Sequence, residues 1–104
     1  MPLHVAFLWH MHQPYYVDPR RVEAVMPWVR LHATKGYLDM IWLADQNPGF
    51  HCTFNLTPVL VKQIRQLARG EVRDLWHELA RPDPIGMTAE QKASVLEHFF
   101  QANW

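Results

Sequence analysis

Cysteine is nearly absent from this chain: with one thiol, Cys52, an intrachain disulfide is excluded. Neither charge is in excess, since ten Lys and Arg balance ten Asp and Glu, and no run of five or more basic residues occurs. That balance gives no field to draw in a phosphate backbone or an anionic bilayer, so neither nucleic acid nor membrane is expected as a partner. Long apolar runs are missing as well. A bilayer span needs about 20 apolar residues, whereas the best candidate, around residues 41–44, is bracketed by Asp39 and Asp45. The opening Met1-Pro2-Leu3-His4 lacks the basic stretch and apolar core of a secretion signal. A reducing, cytoplasmic setting is the resulting expectation.

What is present favours a packed domain. Hydrophobic residues make up 49% and charged residues 19% of the 104 positions, far from the profile of a disordered chain. That length suits one small domain, near the limit where the buried fraction of surface is still modest.

His4-Val5-Ala6-Phe7-Leu8-Trp9-His10 is a nearly continuous apolar run, which predicts a first strand buried on both faces of a parallel sheet. Pro14, in His10-Met11-His12-Gln13-Pro14-Tyr15-Tyr16, cannot donate to a ladder and ends the strand there. After a loop containing Asp18-Pro19-Arg20-Arg21, the spacing of Leu31, Leu38, Ile41, Trp42 and the stem of Lys35 predicts a helix over residues 31–46. Asn47-Pro48-Gly49 stops it. Phe50-His51-Cys52-Thr53-Phe54-Asn55-Leu56 then reads as a second strand, followed by Thr57 as N-cap, Pro58 in the first helical position, and a helix through Val59, Leu60, Ile64 and Leu67 to Gly70. Strand, helix, strand and helix in that order form a βαβα unit, the building block of parallel sheets.

Beyond Gly70 the chain has a turn region, Arg81-Pro82-Asp83-Pro84-Ile85-Gly86, and a helix opened by the capping box Thr88-Ala89-Glu90-Gln91. Phe99, Phe100 and Trp104 crowd the last residues, and further chain is expected to bury them.

Polar residues gather where the strands end. His10 and His12 are two apart on an extended segment, so both side chains point one way, with Gln13 beside them at the carboxyl edge of the sheet, where barrel enzymes bind substrate. Imidazole and carboxamide each present a donor and an acceptor, which suits sugar hydroxyls. Neutral imidazoles also suit zinc, so a metal pair is the rival reading, although no second cluster of Cys, His and Asp at ligand spacing accompanies it. Asn55 stands one unit later at the equivalent strand end, either facing the same crevice or serving as a turn residue. Trp28 lies with Arg30 and His32 at the start of the first helix, where it either stacks on a sugar ring or plugs the core. The other tryptophans, Trp42 among Leu38, Ile41 and Leu43 in particular, read as core. Glu71, Glu78, Glu90 and Glu97 fall in helices or their flanks, so no catalytic carboxylate pair is nominated within this chain.

Three ordered blocks carry a resemblance: the His10 to Tyr16 segment, then Met26-Pro27-Trp28-Val29-Arg30-Leu31-His32-Ala33-Thr34-Lys35, then Thr53-Phe54-Asn55-Leu56-Thr57-Pro58-Val59-Leu60. Together they resemble the N-terminal region of glycoside hydrolase family 57, and the likeness extends through Leu96-Glu97-His98-Phe99-Phe100-Gln101-Ala102-Asn103. The resemblance implies an α/β fold in which this chain supplies the N-terminal βαβα portion of a (β/α)7 incomplete TIM-like barrel, plus a helical segment. It implies a retaining enzyme on α-glucans with no metal or other cofactor in the chemistry. His12-Gln13-Pro14 corresponds to the family's first conserved region, which lines glucose-binding subsites. The nucleophile Glu and acid/base Asp of that family lie on later strands, so the expectation is a truncated chain, silent alone, whose partners are an α-glucan and the remainder of the barrel. Alternatives are a zinc-dependent barrel of the polysaccharide deacetylase or α-mannosidase type and a non-catalytic glucan-binding module.

Overall fold

The computed structural model describes residues 1–100, so the expectation for Trp104 lies outside the described residues. Strand β1 (Leu8–Met11) runs parallel to β4 (Thr53–Leu56), in the register Leu8 to Thr53, Trp9 to Phe54, His10 to Asn55 and Met11 to Leu56. Between them comes a continuous helical stretch: α1 (Trp28–Leu31), a π-helical turn (His32–Tyr37) and α2 (Leu38–Asp45). Helix α3 (Pro58–Ala68) follows β4, so the parallel pair and its helices keep the βαβα order read from the sequence.

Local chemistry sets most of these boundaries. The first helix opens at Trp28, three residues before the expected start, because the Leu31 N–H already bonds the Pro27 carbonyl at 3.0 Å. The second strand begins at Thr53 rather than Phe50, whose N–H is spent closing the Asn47 turn at 2.8 Å. Pro58 holds the first position of α3 as expected, but the Thr57 hydroxyl turns to the Met11 carbonyl at 3.4 Å instead of capping the helix. At the far end Gly70 takes φ 66°, which costs glycine nothing. Its N–H reaches Leu67 O at 3.3 Å and that of Glu71 reaches Gln66 O at 2.9 Å, the paired bonds of a Schellman stop.

A second, smaller sheet had no counterpart in the sequence reading. Strand β2 (Val17–Asp18) pairs antiparallel with β3 (Glu23–Ala24), which pairs parallel with β5 (Arg73–Asp74). The β2–β3 connection includes Val22 at φ 56°, a left-handed conformation that strains a β-branched residue. After β5 come α4 (Leu75–Ala80), a 3-10 turn (Pro84–Gly86) and α5 (Ala89–His98). The capping box of α5 is formed in both directions: Gln91 N to Thr88 Oγ1 at 3.2 Å and Thr88 N to Gln91 Oε1 at 2.9 Å.

Two buried clusters hold the elements. Met11, Val29 and Leu60 form one, with Tyr37, Met40, Phe54 and Ile64 packed against it; Val17, Ala24 and Val72 form the other, and Leu67 touches both. Burial of β1 on both faces, as the apolar run predicts, is not found. The strand starts at Leu8, where its partner starts, and Leu8 and Trp9 are exposed while Met11 is buried, because cover is supplied only at the Met11 end. Leu31, Leu38, Ile41, Trp42 and Leu43 are likewise exposed rather than core, since the helical stretch turns Val29, Tyr37 and Met40 inward instead. Phe99 differs in the other direction, stacking on Trp76 with ring centres 5.3 Å apart, while Phe100 is exposed. No helix among the described residues is long and apolar enough to cross a membrane.

Candidate functional site

The parallel register decides which polar groups meet. His10 and Asn55 are direct partners across β1 and β4, and His10 Nδ1 lies 3.1 Å from Asn55 Nδ2. With the amide donating, a neutral His10 ring carries its proton on Nε2, directed away from Asn55. Side chains alternate along an extended segment, so His12 returns to the His10 side, and the two rings stack with centres 5.9 Å apart and planes 9° from parallel. Met11, between them, points the other way into the core. One strand end thus offers two exposed imidazoles and a carboxamide at a common edge.

Gln13 takes a different neighbour. Its Nε2 donates to the Tyr37 hydroxyl at 3.1 Å, and that hydroxyl donates to the His12 carbonyl at 3.2 Å. Tyr37 stacks on His32 at 5.7 Å, and His32 meets Trp28 at 6.5 Å. Trp28 is therefore linked to the histidine pair through two intervening rings. It lines a cavity of about 400 Å³ with Leu31, Trp76 and Phe99, on whose wall the Arg30–Asp74 ion pair lies.

Four of the five residues singled out, His10, His12, Gln13 and Asn55, are brought to the carboxyl ends of the parallel strands, whereas Trp28 borders a cavity that none of those four lines. Sequence reasoning missed Tyr37 and Gln63. Gln63 is 1% exposed and sits on the apolar stripe of α3 with Leu60, Ile64 and Leu67. A polar residue on such a stripe was the available signal. Tyr37 gave none, because its direction depends on the π-helical turn.

Asp74, a strand-end carboxylate that the sequence reading passed over, is already engaged. Its Oδ2 pairs with Arg30, and its Oδ1 accepts the His77 N–H at 3.0 Å as the cap of α4. Glu78 chelates Arg73 Nε at 3.0 and 2.9 Å, and Glu23 meets Arg73 Nη1 at 2.8 Å. The bonds to Glu78 first, and to Glu23 next, raise the Arg73 pKa further, so the guanidinium stays charged. These carboxylates hold the second sheet together rather than facing the histidines. Among the described residues, no group of three or more His, Cys, Asp and Glu side chains is arranged to hold a metal ion.

No curated protein and no solved structure matches the chain. Residues 6–100, nearly its whole length, match the model of glycosyl hydrolase family 57, and the chain belongs to that family.

Proposed function

We propose that this chain is the N-terminal part of a cytoplasmic, retaining glycoside hydrolase or transglycosylase acting on α-glucans, and that His10, His12, Gln13, Asn55 and Trp28 bind its substrate. Family membership supports a glycosidase acting on glucans. The observation that carries the substrate-holding role is the meeting of His10, His12 and Asn55 at the carboxyl ends of two parallel strands. Donors and acceptors in fixed planar groups, on a rigid sheet edge, suit the hydroxyls of a glucosyl unit.

The remainder of a (β/α)7 barrel completes the protein in this reading. Support comes from the apolar surface of β1 and α2, where Leu8, Leu38 and Trp42 are each more than half exposed, an arrangement that further packed layers would cover.

Retention needs two carboxyl groups roughly 5 to 5.5 Å apart across the glycosidic bond. One attacks the anomeric carbon while the other protonates the leaving oxygen, and the second then activates the water or acceptor hydroxyl that releases the sugar. A Glu nucleophile and an Asp acid/base on later strands supply them, and this chain alone is inactive. His10 and His12 grip the ring's hydroxyls, and that grip tightens as the ring flattens toward its oxocarbenium-like state. Replacing His12 by Ala in the complete enzyme tests this: kcat/KM on an α-glucan falls while the fold is kept, and unchanged kinetics overturn the assignment.

A further inference from the structure

The segment that carries His12 and Gln13 does not run free into its loop; successive polar groups along it are met by another element. Met11 O accepts from Thr57 N at 3.2 Å. His12 O accepts from the Tyr37 hydroxyl, which itself accepts from Gln13 Nε2. Pro14 O accepts from Gln63 Nε2 at 2.8 Å, and Tyr16 N donates to Gln63 Oε1 at 2.8 Å. The remaining Gln63 proton is directed to Val59 O at 3.2 Å.

Gln63 thus spends both donors and its acceptor while being 1% exposed. On the Leu60, Ile64 and Leu67 stripe an apolar side chain would fill the same space without burying a carboxamide. What the carboxamide adds is a fixed geometry, since a satisfied buried network specifies one arrangement of the backbone it holds. The segment it holds begins one residue after Gln13.

We propose that Gln63 and Tyr37 are positioning residues, two clamps from α3 and the π-helical turn that fix the His12–Tyr16 segment so that His12 and Gln13 meet the sugar correctly. The proposal rests on the substrate-holding role of His12 and Gln13 given above. Neither clamp residue need touch substrate; each acts through the segment it holds. Displacing a binding group by about 1 Å costs on the order of 100-fold in rate, so small losses of register are readable in kinetics.

The test uses the complete enzyme with Gln63→Met, which keeps length and loses every hydrogen bond, and Tyr37→Phe, which removes one hydroxyl. Val72→Ala, from the other buried cluster, is the control for lost packing. At a temperature where all variants are folded, both clamp variants lower kcat on a maltooligosaccharide about tenfold or more with a smaller change in KM. Val72→Ala lowers the melting temperature and leaves kcat unchanged. Unchanged kcat in folded clamp variants, beside an impaired His12→Ala, overturns the clamp and spares the binding role. Should Gln63→Met fail to fold, Tyr37→Phe decides by the same criterion. An unimpaired His12→Ala overturns the binding role and the clamp together.

Discussion

Leu60 is the centre on which the strand ends rest, and its truncation should be felt throughout the chain. It is 0% exposed and shares a cluster with Met11, the residue between the two histidines, and Val29 at the start of the helical stretch. Leu60→Ala removes three buried carbons and leaves a void that surrounding side chains fill only in part, which costs about 2–5 kcal/mol in packed cores. The cluster has three fully buried members with half-buried neighbours, so partial collapse is easy and about 3 kcal/mol is the expected loss. With a urea slope of about 1.5 kcal/mol/M for a domain of this size, the midpoint drops by about 2 M. Urea unfolding followed by tryptophan fluorescence reads this shift, with Leu96→Ala, at a site 69% exposed, as the reference that should move little. A loss under about 1 kcal/mol for Leu60→Ala, or equal losses in both variants, would refute this account of the core.

Asp74 should separate capping from ion pairing. Asp74→Ala loses the α4 cap and the Arg30 partner together and should cost about 2 kcal/mol, whereas Asp74→Asn keeps a capping oxygen and should cost about half of that; equal losses in urea unfolding would contradict the division. Glu90 is held below the ordinary carboxylate pKa by its own backbone N–H first and by the Thr88 hydroxyl second. A depressed folded pKa means stability present above the unfolded value and lost as pH falls through the folded one. Helicity by circular dichroism should therefore decline between about pH 5 and pH 3, with a smaller decline in Glu90→Gln.

Elements written in local chemistry were legible in the sequence. Thr57-Pro58 announces α3, Thr88 and Gln91 announce α5, and the two apolar runs announce β1 and β4. The second sheet was not, because two-residue strands carry no period and β3 finds β5 at a distance of 50 residues along the chain. Nor was the π-helical turn, which decides that Tyr37 faces Gln13 while Leu38 and Trp42 face solvent. At the site, the meeting of His10 with Asn55 follows from parallel pairing of equivalent strand ends, and so could be read from order alone. The holding of the loop by Gln63 could not, because it depends on where α3 crosses the strand end.

In the proposed function His12 holds a glucosyl unit for a reaction completed by carboxylates elsewhere in the enzyme. The direct measurement is kcat/KM of the complete enzyme and its His12→Ala variant on a maltooligosaccharide, with circular dichroism to show that both are folded. Loss of one hydrogen bond that strengthens in the transition state is worth about 1.4 kcal/mol, so a fall of roughly tenfold is the expected result. A folded variant with wild-type kcat/KM would contradict the claim.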